Sequence, residues 1–307
     1  MDFKIPDDLR RGDSADMMPL AGEVNWGMDV FGVGALRDAG YTGTGIIVCI
    51  VDTGADLEHP LLINCIDAKD FTGSSRGAKD VHGHGTHCTG TVGGFDPRIG
   101  VAHGAKTIHG KGLGDSGSGN SDDLVRAMEW GASRGATIFS CSWGGGTDSR
   151  TLSALKSFAN DGLWPIFAAG NSGGGTQETD QPGRSMDAIN VAALNKDLTP
   201  ATFTSAGNKL DTSGPGVGIW SAKSGGGFVQ MSGTSMATPF VAGLLACYRG
   251  ALMDLKRPVP LVHQLREMLF SRSTDTHTPG DDRRTGPGWV TPMLLSLSLT
   301  PLPPPVN

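Results

Sequence analysis

Ile46-Ile47-Val48-Cys49-Ile50-Val51-Asp52-Thr53-Gly54 is a nearly continuous β-branched run that ends on a carboxylate and a glycine. Apolar residues without alternation predict a strand buried on both faces of a parallel sheet. Outward from it, short apolar runs predict strands around 107–108, 137–142, 165–169, 188–194 and 217–222. Helical patterns lie between them, at 29–39, 121–134 and 151–160. Two more follow, one beginning at about Ser235 and one over 259–271. Strands alternating with helices predict an α/β fold: three layers, a doubly wound, mostly parallel sheet with helices on both faces. Asp52 falls at the C-terminal end of its strand, where open α/β sheets bind ligands. Taken alone it reads equally well as the Asp of an Asx-turn.

The chain has 307 residues, enough for one large domain over 23–299. Residues 1–22 are polar and aperiodic and read as an N-terminal extension; 300–307 (TPLPPPVN) read as a proline-rich tail. The 47 glycines are spread without a period, which excludes collagen-like repeats. A net charge of −6 and no basic patch argue against nucleic acid and against an anionic membrane surface. The start MDFKIPDDLRRGDS has no apolar h-region, so the expected location is the cytoplasm if Met1 is the true start, with secretion as the alternative. Five cysteines without CxxC spacing predict reduced, buried thiols. Nothing in the sequence fixes an oligomeric state.

Gln230-Met231-Ser232-Gly233-Thr234-Ser235-Met236-Ala237-Thr238-Pro239 runs from a strand into an apolar helix. Ser235 therefore sits at a helix start, where free N–H groups and the helix dipole favour negative charge. That position also suits a simple cap. The cluster His82-Gly83-His84-Gly85-Thr86-His87-Cys88 lies between Asp52 and Ser235. Asp, His, Ser is one of the chain orders in which a nucleophilic triad is built. The serine attacks a carbonyl, the histidine takes and returns its proton, and the aspartate orients the imidazole.

Four stretches carry a specific resemblance: VDTG at 51–54, HGHGTHCTGTVG at 82–93, AAGNSG at 168–173 and SGTSMATPFVAG at 232–243. The chain is similar to the subtilisin family (subtilases) of serine peptidases, with weaker similarity over about 24–250. The resemblance implies a subtilisin-like fold and Asp52, His84 and Ser235 as the triad, His84 being the histidine followed by Gly-Thr-His. It implies Asn171 as an oxyanion-hole amide. An extended peptide or protein substrate would lie between Gly117-Ser118-Gly119 and Ser142-Trp143-Gly144. Ala168-Ala169-Gly170 would wall the S1 pocket, and Leu113, Leu124 and Trp143 would line S4. Asp180 falls near the base of S1, where furin-like relatives carry an acid, so the P1 preference is basic through Asp180 or else apolar. Cys88 resembles the thiol of the proteinase K branch and reads equally as a small buried hydrophobe.

The chemistry needs no cofactor. Leu61 replaces an Asp that binds calcium in many relatives, so that site is expected to be absent. Asp211, with backbone oxygens between Gly183 and Ala188, is a candidate weak site for structural calcium or sodium, or else a solvated loop carboxylate. The short extension resembles that of intracellular subtilisins and is expected near the active site, in a regulatory role. The expected function is serine endopeptidase through an acyl-enzyme. The alternatives are a transpeptidase or macrocyclase on the same scaffold, or a non-catalytic peptide-binding protein. Gly114-Asp115-Ser116-Gly117 mimics the nucleophile motif of an all-β protease but belongs here to a loop. The three histidines lack a partner set for zinc.

Overall fold

In the computed structural model, which describes residues 2–5, 10–11, 25–175 and 178–289, the run at 46–51 forms an interior strand of a seven-stranded sheet. The strands are β1 (Ile47–Asp52), β2 (Cys65–Asp70), β3 (Lys106–Lys111), β4 (Ile138–Cys141), β5 (Trp164–Ala168), β6 (Ile189–Leu194) and β7 (Thr212–Pro215). Their order is β7-β6-β5-β4-β1-β3-β2, with every neighbouring pair parallel. The chain winds from β1 toward β2 and β3, then crosses back to β4 and continues the other way. The strand order therefore reverses between β1 and β4, and their C-terminal ends open the crevice in which such folds bind ligands.

Alternation along β1 separates the two helical layers, because successive side chains point to opposite faces. Val48 and Ile50 join a buried cluster with α1 (His84–Gly93), α4 (Thr234–Asp254) and α5 (Val262–Arg272). Cys49 and Val51 join another with α2 (Ser121–Ser133) and α3 (Ser149–Asn160). Asn120 and Asp148 cap α2 and α3 by accepting from Asp123 N–H and Thr151 N–H. Helix α4 is long and apolar enough to cross a membrane by composition, but 94% of that stretch is buried inside the fold. Its all-round hydrophobicity is that of a core helix. The five cysteines are free thiols, four of them buried.

Some expectations are revised. The helix expected over 29–39 is two short ones, Trp26–Val30 and Val33–Asp38, parted by Gly32 at φ 64°. Strands β2 and β7, the two sheet edges, and helix α1 were not apparent from the sequence pattern. Of the N-terminal extension, residues 2–5 and 10–11 are described. Asp2–Lys4 is a strand between Ser118–Asn120 and Gly144–Gly145, antiparallel to both. Arg10–Arg11 pairs antiparallel with Met231 and Ser232. The tail at 300–307 lies outside the described residues.

Candidate active site

Each element of the crevice delivers one group. Asp52 is the last residue of β1, His84 the first of α1, and Ser235 the second of α4. All three are fully buried. His84 Nδ1 is 2.7 Å from Asp52 Oδ1. Burial alone would raise the Asp52 pKa and lower that of His84. The charge of each on the other and their hydrogen bond outweigh it, so Asp52 lies below its ordinary value. His84 lies well above its own, with Cys88 adding to the effect of Asp52.

The start of α1 is clamped by a residue that motif reading passed over. The buried Asp80 carboxylate accepts from Thr53 Oγ1 (2.9 Å), Gly83 N–H (2.8 Å), Thr86 N–H (2.8 Å) and Thr86 Oγ1 (2.7 Å). It thereby ties the histidine's helix to the loop that follows Asp52. An aspartate just ahead of a glycine-led helix is a capping signal, and that was the clue available. His109 supports the same loop. Its Nε2 accepts from Gly54 N–H at 3.0 Å, and its Nδ1 lies 3.0 Å from Thr89 Oγ1. Thr89 spends its own proton on Gly85 O at 2.8 Å, so the His109 proton sits on Nδ1. Burial pushes the His109 pKa down to about 4, which keeps the ring neutral.

Ser235 is fixed from behind through a missing donor. Pro239, four residues on, has no N–H to give the Ser235 carbonyl. That oxygen instead accepts from Ser142 Oγ at 2.9 Å and from Cys88 Sγ at 3.5 Å. The Ser235 hydroxyl donates to Ser142 O at 3.2 Å. His84 Nε2 is buried and without a hydrogen-bond partner, as is Asn171 Nδ2. Asn171 Oδ1 accepts from Thr234 N–H and Thr234 Oγ1, each at 2.9 Å. This fixes the amide with its oxygen toward α4 and its nitrogen unspent. Cys88 Sγ is 3.9 Å from His84 Nδ1. His87 turns away, with Nε2 2.9 Å from Ile219 O, and burial pushes its pKa down to about 3. Ser116 is exposed in a turn.

Ser118–Asn120 and Gly144–Gly145 are short strands that overlap the expected substrate edges, and residues 2–4 lie between them. Leu113, Leu124 and Trp143 gather in one buried cluster around Phe3, whose ring meets Trp143 edge-on at 5.3 Å. Ala168 ends β5, and Ala169 and Gly170 follow it beside Asp180, whose N–H donates to Ala169 O at 2.9 Å.

Asp211, the candidate cation site, is engaged by side chains of the protein itself. Its carboxylate accepts from Lys209 Nζ at 2.9 and 3.0 Å, from Arg266 Nε at 2.8 Å and from Asn190 N–H at 2.8 Å. Arg266 also reaches Met186 O at 3.5 Å. Leu61 is packed in an apolar cluster with Leu62 and Ile99. Asp211→Ala strands two largely buried cations and is expected to cost about 3–5 kcal/mol. The denaturation midpoint should fall and should not recover on adding calcium; recovery would restore the metal reading.

The subtilase family profile matches residues 43–288. The chain belongs to the subtilase family. This subtilase is 34% identical over 266 residues to M-protease of Shouchella clausii (strain KSM-K16), covering 85% of this chain and 68% of that protein. It is 35% identical over 261 residues to subtilisin E of Bacillus subtilis (strain 168), covering 83% and 67%. It is also 35% identical over 261 residues to subtilisin of Bacillus pumilus, covering 83% and 93%. It is a subtilisin-like serine endopeptidase, a hydrolase acting on peptide or protein substrates.

Proposed function

We propose that Asp52, His84 and Ser235 are the catalytic triad and that Asn171 Nδ2 and the Ser235 N–H form the oxyanion hole. The observation that carries this reading is the buried 2.7 Å Asp52–His84 pair in one crevice with Ser235, beside an Asn171 amide held with its nitrogen unspent. Ser235 Oγ leaves Ser142 O, gives its proton to His84 Nε2 and attacks the substrate carbonyl. The imidazolium so formed is stabilised by Asp52 and returns the proton to the leaving amine. Water then repeats the sequence on the acyl-enzyme. A fluorophosphonate should label Ser235 and fail on Ser235→Ala, and products should gain the mass of water. Label retained in Ser235→Ala would sink the assignment; products without added water would instead indicate a transpeptidase or macrocyclase.

His84 must be neutral to act as base, and its pKa lies well above 6.5. Below that value the imidazole is protonated and the enzyme idle. The rate on an uncharged substrate should therefore rise with pH through a midpoint above 6.5, and a midpoint at or below 6.5 would contradict the ion-pair account.

The N-terminal segment competes with substrate in this reading. Residues 2–4 pair with both edges of the groove, and residues 10–11 pair with the strand ending three residues before Ser235. A bound peptide that adds a strand uses the same backbone groups, so the two are mutually exclusive. The five free thiols support a reducing compartment.

A further inference from the structure

Two side chains of β3 that the serine chemistry does not use grip the backbone just past Asp52. His109 and Lys111 are both fully buried. They lie two residues apart and so point to the same face of the strand. They reach the two ends of one peptide unit. Gly54 N–H donates to His109 Nε2 at 3.0 Å, and Lys111 Nζ donates to Thr53 O. That peptide unit follows the residue that orients the triad carboxylate. Thr53 N–H donates at 2.8 Å to Asp52 Oδ1, the oxygen that also meets His84 Nδ1. Asp52 Oδ2 has no hydrogen-bond partner among the described residues, so the protein sets the angle of the carboxylate through Oδ1. The helix that carries the histidine rests on the same peptide. Gly85 N–H donates to Thr53 Oγ1 at 2.9 Å, and a Cβ on Gly85 would meet Gly54 O and stand 2.8 Å from His109 Cε1.

A fully buried ammonium is costly unless it is paired and hydrogen-bonded. It has three donors, and Lys111 has three acceptors for them: Thr53 O, Lys79 O at 3.5 Å and Asp115 Oδ1 at 2.8 Å. Lys79 precedes Asp80, whose carboxylate clamps α1, so the same cation touches the loop after Asp52 and the loop ahead of His84. The anion comes from the Gly114-Asp115-Ser116-Gly117 turn, whose serine is no nucleophile here. The Asp115 side chain is 38% exposed and accepts a second bond from Ser74 Oγ at 3.0 Å. The Lys111 hydrogen bond, first among several causes, holds its carboxyl below the ordinary value. An apolar side chain would serve packing as well, because a hydrophobic replacement often equals a buried ion pair in stability. A cation aimed at two backbone carbonyls does something further: it fixes where those carbonyls stand.

We infer that Lys111, neutralised by Asp115 and acting with His109, is a positioning residue of this peptidase, which fixes the Thr53–Gly54 peptide and through it the angle of Asp52 to His84. This deepens the triad reading above and rests on it. Lys111 acts through the backbone and takes no part in proton transfer. A misplaced Asp52 leaves ground-state binding intact but fails to meet the imidazolium that forms as Ser235 attacks. The loss therefore falls on kcat rather than KM.

The test uses the full chain, steady-state rates on a peptide amide, and fluorophosphonate titration of Ser235 run to completion, so that kcat refers to reactive enzyme. Lys111→Met should lower kcat about tenfold or more, within the 10²-fold that a misplacement of about 1 Å can cost, while KM stays within about twofold. Asp115→Asn, a change at a partly exposed side chain, leaves the cation buried without its anion and should lower kcat about tenfold. Asp115→Glu keeps the anion and should restore kcat. Lys111→Met combined with Asp115→Asn removes both charges, so the denaturation midpoint should return toward that of the parent chain while kcat stays low. A kcat that recovers together with stability in the double variant overturns the inference, because the ion pair would then be only a strut. Equal kcat in Asp115→Asn and Asp115→Glu overturns it too, and decides the matter if Lys111→Met does not fold. Titration also separates the two levels. A parent chain labelled at Ser235, with kcat per titrated site unmoved in these variants, rejects this inference alone; label retained in Ser235→Ala rejects the triad reading with it.

Discussion

Replacing Asn171 by Ala is expected to lower kcat about 10²–10³-fold while KM stays nearly unchanged. That magnitude is the loss known for the corresponding donor of subtilisin, and this relative is expected to share it. The direction follows from the site. Asn171 Oδ1 is engaged twice by Thr234, which leaves Nδ2 as a fixed, desolvated donor with nothing to bond in the resting enzyme. A donor held in this way is worth most when charge develops on the carbonyl oxygen, which happens only in the transition state. The ground-state complex scarcely uses it, so binding survives its loss. Gly170 N–H also donates to Thr234 Oγ1, at 3.2 Å, so the loop keeps an anchor when the amide is gone. Steady-state rates on an amide substrate, with Ser235 active-site titration for folding, decide the matter. A raised KM at constant kcat would mean that Asn171 binds the ground state and that the oxyanion is held elsewhere.

The sequence was most legible where local pattern and burial agree. The 46–51 run reads as a parallel strand buried on both faces, and Val48/Ile50 against Cys49/Val51 divide between those faces. The chemical groups were legible through four motifs. Helix α1 was hidden because it is made largely of Gly, Thr, His and Cys, whose helix propensities are poor. It is held by the Asp80 clamp and by burial of all ten of its residues. Strand β2 was hidden because it is an edge whose residues are largely half-exposed. The pairing of Asp211 with Arg266 was not legible because the two lie 55 positions apart. The N-terminal strand carries no strand pattern at all: Asp2–Lys4 is extended because two groove edges offer it hydrogen bonds. Such partners belong to the folded molecule and leave no trace in local composition.

Phe3→Ala is expected to raise activity at low substrate concentration by about tenfold or more, with kcat unchanged. Phe3 is fully buried in one cluster with Trp143, Leu113 and Leu124, so its ring supplies apolar contact that seats the segment. Truncating a buried Phe typically costs about 3–5 kcal/mol. Here the cost falls on the docked state alone, because the undocked segment is solvated in either variant. The ratio of docked to undocked enzyme therefore drops by roughly two orders of magnitude or more. The apparent KM is the intrinsic one divided by the undocked fraction, so it falls as that fraction grows. The gain stops where undocking is already complete, so its ceiling is the reciprocal of the undocked fraction of the unsubstituted chain. A synthetic MDFKIP peptide should inhibit Phe3→Ala in competition with substrate. If the segment were only a structural strap, Phe3→Ala would instead lower both the melting temperature and kcat, and the peptide would not compete. An unchanged KM would likewise show that substrate never meets the segment in the groove. The assignment of residues 2–5 as an internal competitor thus depends on the sign of one kinetic change, and only displacement from the groove predicts a gain.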